Sequence, residues 1–372
     1  MTLVLHHGDC FEVLPTLAEN SIDACVTDPP YGLQFMGKEW DNLWRNRTGA
    51  DQAYVERTTG TLASRARKLP DYKAANPLRM QEWHEEWARA VYPVLKPGGY
   101  LLAFGGTRTH HRLMCAIEDA GFEIRDCLNR LYGSGFPKSH TQPDGRGTAL
   151  KPAWEPIIMA RKPLIGTVAS NVLQFGTGSL NIDGCRVDAA PGDKGDWPIT
   201  KRRHEDKTYT LQPVPTDQSK GRWPANVVHD GSDEVLAMFP TTKSGTFSGH
   251  RNKPKTKNTF GEFALRDERG HVGDTRSAAR FFYCAKASKK DRAGSKHPTV
   301  KPVALMRWLV RMVTPPGGTV LDPFAGSGTT LQAIVEEGFH GVGIEREAEY
   351  VADIERRCGI TAELTEEQRL LA

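Results

Sequence analysis

With 372 residues, 38% of them hydrophobic and 25% charged, the chain has a globular composition and the length for one large α/β domain carrying an insertion, or for two domains; disorder throughout is excluded. The formal net charge of +4 is only mildly basic, so its distribution says more than its sum. Seven scattered cysteines without a C-x-x-C pair, histidines without zinc-helix spacing, and no apolar run of membrane-span length lead to the expectation of a reduced, cytoplasmic protein with no metal and no membrane association.

In chain order, Leu3-Val4-Leu5 reads as a short strand that ends at His6-His7-Gly8-Asp9-Cys10. Phe11 to Leu17 has the spacing of a short amphipathic helix, which Asn20-Ser21 breaks. The apolar run Ile22 to Val26 then delivers Thr27-Asp28-Pro29-Pro30-Tyr31-Gly32, a strand followed by a stiff acidic turn. Consecutive prolines hold φ at about −65° and supply no backbone N–H, so the Asp28 carboxylate and the Pro29 carbonyl stand as acceptors in a nearly rigid frame beside the Tyr31 ring. Acceptors and a ring suit a planar base whose exocyclic amine donates hydrogen bonds while its face stacks. A proline-rich surface loop would read the same way.

Gly32 to Asp41 and the polar stretch to about Lys73, with Arg45, Arg47, Arg57, Arg65 and Arg67, form either a lid over a site or a surface insertion. Trp83, Trp87 and Val91 recur at helical spacing and mark the buried face of a helix that Pro93 should end or kink. Lys96-Pro97-Gly98-Gly99 then turns into a strand over Tyr100 to Phe104. A helix over Arg112 to Ala120 and a strand at Phe122-Glu123-Ile124 continue the alternation of a doubly wound sheet. Trp154 to Lys162 (WEPIIMARK) reads as another strand. After Pro163 regular signals give way to glycines, prolines, Trp197, Trp223 and clusters such as Lys201-Arg202-Arg203, down to about Arg276. From Thr241 to Val300, fourteen lysines and arginines face five acidic residues, which reads as a phosphate-contacting surface or as a solvated one.

Order returns with an expected strand at Arg280 to Lys286, and His297-Pro298-Thr299-Val300-Lys301-Pro302 leads a helix through Trp308-Leu309-Val310. A helix N-terminus with a hydroxyl and a lysine is a ready carboxylate site. Gly318 to Thr330 (GTVLDPFAGSGTT) reads as a buried strand, a glycine loop and a helix start, and Glu345 ends the next apolar strand, where a carboxylate can hold a ribose diol. Nicotinamide oxidoreductases share that logic, but Leu331 stands where the third glycine of their fingerprint belongs, and no Gly-Lys-Ser/Thr follows to make a phosphate loop.

Together, Asp28-Pro29-Pro30-Tyr31 and the Asp322-Pro323-Phe324-Ala325-Gly326-Ser327-Gly328 loop resemble the amino-methylating DNA methyltransferases that use S-adenosyl-L-methionine. The catalytic-type motif precedes the cofactor-type motif, as in the permuted β class of that family. The resemblance implies an α/β, Rossmann-like fold with a mainly parallel doubly wound sheet, circularly permuted. It divides the chain into a catalytic half at 1–162, a target-recognition region at 163–279 and a cofactor-binding half at 280–372. Asp28, Pro29, Pro30 and Tyr31 become the catalytic residues. Asp9 and Cys10 become contacts to the cofactor's adenine, although Asp9 reads equally as a helix cap. Thr299 and Lys301 are implied at the methionine end, and Asp322, Phe324, Ala325, Gly326, Ser327, Gly328, Thr329 and Glu345 around the rest of the cofactor. Leu131 to His140 (LYGSGFPKSH) resembles the loop that lines the target-base pocket, with Phe136 to stack and Lys138 to meet a phosphate. The implied reaction is methylation of N6 of an adenine flipped from double-stranded DNA, with N4 of cytosine as the alternative. A restriction-modification setting is implied, and a homodimer is among the assemblies the family allows.

Overall fold

Strand signals from the two ends of the chain converge on one sheet. A computed structural model describes residues 1–31, 77–135, 139–188, 221–243, 250–251, 257–258, 261–262, 267–268, 275–292, 294–295, 297 and 299–364. Its main sheet has ten strands: Leu3–His7 (β1), Ile22–Thr27 (β2), Leu95–Phe104 (β3), Glu123–Leu131 (β4), Trp154–Arg161 (β5), Val227–His229 (β6), Tyr283–Cys284 (β7), Thr319–Asp322 (β8), His340–Glu345 (β9) and Glu363–Leu364 (β10). Their spatial order is β7-β6-β4-β5-β3-β2-β8-β9-β1-β10. β5 is antiparallel to both of its neighbours, while the other pairings in the sheet are parallel.

β2 is buried at every position, as an apolar strand in a parallel sheet covered on both faces should be. Alternate side chains serve two cores. Ala24, Val26, Leu102 and Phe104 pack on one face with Leu305, Trp308 and Leu309 of the helix Val303–Val313 and with Leu331 and Ile334 of the helix Thr329–Glu337. Cys25, Leu101, Ala103 and Leu321 meet Trp87 and Val91 of the helix Pro77–Val94 and Leu113 and Ile117 of the helix His110–Asp119 on the other. With Cys10–Val13 as α1, these helices are α2 (77–94), α3 (110–119), α6 (303–313) and α7 (329–337); Val168–Phe175 is α4, Asp233–Met238 α5 and Ala348–Cys358 α8.

Local departures from the sequence reading have local causes. The helix expected over Phe11 to Leu17 divides into α1 and a 3-10 turn, Leu14–Thr16, because Pro15 carries no N–H. The expected turn at Lys96 to Gly99 lies inside β3 as a bulge, where Ile22 pairs with Leu95 but Ala24 with Tyr100. Gly98 takes φ +78° there, and its N–H donates to the Lys162 carbonyl. The strand expected from Arg280 to Lys286 contracts to β7, preceded by the 3-10 turn Ala278–Phe281. α4 and β6 fall inside residues 163–279, yet β6 pairs with β4 and β7 within the main sheet. The Arg-rich stretch 32–73 lies outside the described residues, as do Phe136, Lys138, Trp197, the cluster at 201–203, and Lys253 and Lys255.

Candidate active site

Crossovers from β2 and β8 leave in opposite directions, β2 toward β3 and β8 toward β9, so the carboxyl ends of these adjacent strands open a crevice at a topological switch point. A cavity of about 620 Å³ occupies it. Thr27 Oγ1 donates to Asp322 Oδ1 at 2.7 Å, a buried bond between residues 295 positions apart, and this fixes the turn after β2 against the loop after β8. Asp322 also accepts from the Phe324 N–H at 3.1 Å, and burial raises its carboxyl to about 6.

Asp28, Pro29, Pro30 and Tyr31 all line the cavity. Tyr31 Oη lies 2.9 Å from Asp28 Oδ1 and 3.0 Å from Glu155 Oε1, and Lys301 Nζ lies 2.9 Å from Asp28 Oδ2 and 2.9 Å from Glu155 Oε1. Arg130 Nη1 meets the other oxygen of Glu155 at 3.1 Å. Burial raises the Asp28 carboxyl above its ordinary range despite the opposing Lys301 ammonium. For Glu155, burial acts in the same direction but Lys301 and Arg130 outweigh it, and its carboxyl falls below the ordinary range. Burial opposes the charge of Lys301, and the two carboxylates more than offset it, leaving that ammonium above the usual lysine value. Burial, with Asp28 and Glu155 beside it, holds the Tyr31 phenol well above its usual value, so it stays a hydroxyl at neutral pH.

The expected cofactor residues gather on the same cavity with two differences. Asp9 caps α1, accepting from the Phe11 N–H at 2.9 Å, and also lines the cavity beside Cys10. Glu345 Oε2 accepts from the Gly326 N–H at 2.7 Å and Oε1 from the Glu347 N–H at 2.8 Å; burial raises its carboxyl to about 7. Ala325, Ser327, Thr329 and Thr299 line the wall, and Phe324 packs 5.5 Å from the rings of both Trp83 and Trp87. The first difference is Gly328, which the cavity wall does not include: it begins α7 with φ +78°, where a Cβ would lie 2.9 Å from Ile354 Cγ1 of α8. The second is Lys301. It lines the cavity, but its three N–H donors face Asp28, Glu155 and, at 3.3 Å, Tyr31 Oη, which places it in the acidic cluster.

Sequence reasoning missed Glu155, Arg130, Trp83 and His297, all on the cavity wall. Glu155 had a signal: a carboxylate just ahead of the apolar run Pro156 to Ala160 in the same strand needs a partner. His297 is buried, with its ring 4.5 Å from Tyr350 and its Nε2 3.3 Å from where a Cβ on Gly326 would sit. A cavity with carboxylates at Asp9 and Glu345, aromatic walls at Phe11, Trp83 and Tyr350, and a glycine that keeps the loop backbone close fits a nucleoside-bearing cofactor. Each Glu345 oxygen, bonded once to backbone, keeps a lone pair for a diol.

Residues 22–356 match the family model described as DNA methylase, the N6/N4 methyltransferase family. The chain is 24% identical over 366 residues to the type II methyltransferase M.HindIII of Haemophilus influenzae, covering 92% of this chain and 90% of that protein. Its fold is similar to that of PvuII DNA methyltransferase (cytosine-N4-specific), with a TM-score of 0.50 and 16% identity over 98% of this chain and 88% of the other. The M1.HpyAVI–SAM complex aligns with a TM-score of 0.44 and 18% identity over 96% of this chain and all of that one. The likeness to the PvuII enzyme bears out the α/β methyltransferase fold expected from the two motifs.

Proposed function

The chain belongs to the N6/N4 DNA methylase family, and we propose that its activity is transfer of a methyl group to N6 of an adenine flipped out of double-stranded DNA. As a member of that family it is a DNA methyltransferase that uses S-adenosyl-L-methionine. The observation that supports amine methylation is the Thr27–Asp322 bond, which sets the Asp28 turn and the glycine loop on one cavity.

When bound, S-adenosyl-L-methionine supplies an electrophilic methyl group on a sulfonium centre. Asp9, Cys10, Asp322, Phe324, Ala325, Gly326, Ser327, Thr329 and Glu345 would hold it, with Thr299 toward its methionine end. The chain's task at the reacting nitrogen is orientation and charge. An exocyclic amine is a poor nucleophile because its lone pair is delocalised into the ring. Asp28 and the Pro29 carbonyl accept its two hydrogens, favour a pyramidal nitrogen, and leave the lone pair directed away from the acceptors. The Asp28 carboxylate also stabilises the positive charge that grows on that nitrogen, and Tyr31 stacks on the base. Releasing the base from the duplex costs a few kcal/mol.

Asp at the first position of the four motif residues is the family feature that favours adenine, and a purine gains more than a pyrimidine from stacking on Tyr31. N4-methylcytosine is the second reading, since the same acceptors suit either amine. DNA methylated by the protein, digested to nucleosides and resolved by mass, is expected to yield N6-methyldeoxyadenosine; N4-methyldeoxycytidine as the sole product would replace the adenine assignment.

The 163–279 segment and the basic run that overlaps its end, Lys243 to Lys296, serve target recognition in this reading. Duplex affinity should fall steeply with salt, and replacing Lys253, Lys255 and Lys257 together should flatten the slope of log affinity against log salt by about two to three units. An unchanged slope would return the run to ordinary solvated surface. The protein would act in the cytoplasm, within a restriction-modification pair, as a monomer or homodimer. Among the described residues no helix is long and apolar enough to cross a membrane.

A further inference from the structure

The methyltransferase reading gives a task to Asp28 and Tyr31 but none to the carboxylate that Tyr31 also touches. Asp28 Oδ1, Tyr31 Oη, Glu155 Oε1, Lys301 Nζ and Asp28 Oδ2 form a closed ring of contacts, each 2.9 or 3.0 Å long. The tyrosine hydroxyl has one proton and two carboxylate acceptors at nearly equal distance. Both oxygens of Asp28 therefore have a donor at hand before any base arrives. An amine that donates to Asp28 must compete with one of them, and a buried donor displaced without a new acceptor carries a full desolvation penalty.

We infer that Glu155 is a positioning residue for methyl transfer: it receives the Tyr31 hydroxyl proton when the target amine takes Asp28 Oδ1, so the base gains its acceptor while every buried donor stays paired. The exchange needs only rotation of the hydroxyl about its C–O bond, with ring and carboxylates in place. Lys301 spans the two carboxylates throughout, and Arg130 holds the far oxygen of Glu155, which keeps Oε1 directed at Tyr31. The inference rests on the methyltransferase reading of the same site.

Charge gives it a signature distinct from packing. The groups that face Asp28 are Tyr31 from its own turn, Lys301 from the segment before α6, Glu155 from β5 with Arg130 of β4 behind it, and Asp322 from β8. Glu155 is an anion that opposes ionisation of Asp28. Asp28 acts as a carboxylate, so activity falls as pH drops through its pKa; removing the neighbouring anion lowers that pKa and moves the acid limb to lower pH.

The test is transfer of labelled methyl groups from S-adenosyl-L-methionine to DNA by the full chain. Glu155→Leu, which removes the second acceptor, should lower kcat by about tenfold to hundredfold. Cofactor affinity by calorimetry should stay within about twofold of wild type, as expected when an interaction serves the transfer step and not cofactor binding. Glu155→Asp should recover part of the loss, and Glu155→Gln, which keeps an oxygen acceptor without the charge, should shift the acid limb of the kcat profile to lower pH. Near-wild-type kcat in Glu155→Leu would overturn the inference. So would parallel loss of cofactor binding and activity in that variant together with an unshifted Glu155→Gln profile, since that is how a purely structural residue behaves. A wild-type chain that transfers no label would sink the methyltransferase reading, and this inference with it.

Discussion

Asp28→Ala is expected to lower turnover by about two to three orders of magnitude, equivalent to about 2.7–4 kcal/mol of lost transition-state stabilisation. The carboxylate sits in a partly buried cluster where reduced screening by water strengthens its interaction with a nitrogen that becomes positive only as the methyl moves. Ground-state binding has little share in that interaction, so cofactor affinity should change little. Steady-state turnover on DNA beside calorimetric affinity for S-adenosyl-L-methionine separates the two, and near-normal turnover would end the mechanism. The variant also leaves Lys301 with Glu155 as its one carboxylate, a milder change than stranding the lysine altogether.

The second large effect is on stability. Lys301 is buried between Asp28 and Glu155, and its ammonium separates two carboxylates that Tyr31 brings within hydrogen-bonding reach of one oxygen. Lys301→Met keeps most of the volume and removes the charge. Loss of one partner from a buried ion pair costs about 3–5 kcal/mol, and the upper half of that range applies because two anions lose their shared cation. Chemical denaturation at neutral pH should show this loss, and it should shrink as pH falls and one carboxylate takes up a proton. A denaturation midpoint equal to that of wild type would mean that Arg130 and Tyr31 alone suffice for the two anions.

The strands that carry the site were legible because a buried strand leaves a mainly apolar run: Ile22 to Val26, broken only by Asp23, and Tyr100 to Phe104 lie where that pattern placed them, within β2 and β3. The motif ends at Asp28 and Asp322 were legible too, since proline and glycine pairs restrict the backbone to few shapes. Lys301 shows where that kind of reading stops. Its motif suggested a carboxylate, but the carboxylates it meets are Asp28 and Glu155, the second of them 146 positions away in sequence. Periodicity carries no information on such a pairing. The bulge at Gly98 was hidden for a similar reason: Lys-Pro-Gly-Gly looks like a turn, and the partner that absorbs it into β3 is the opposite end of β2.

The interleaved strand order has a consequence for synthesis. β1, made first, pairs with β9 and β10, and the free side of β2 pairs with β8. While the chain is emerging from the ribosome, β1 therefore has no neighbour in the final sheet until β9 is made, and one edge of β2 stays open until β8 is made. Such edges are templates for pairing with other chains, and contacts this distant in sequence form slowly. The nascent N-terminal half thus presents open strand edges, and the Asp28 turn, fixed to Asp322 through Thr27, gains that contact only after translation has passed the glycine loop.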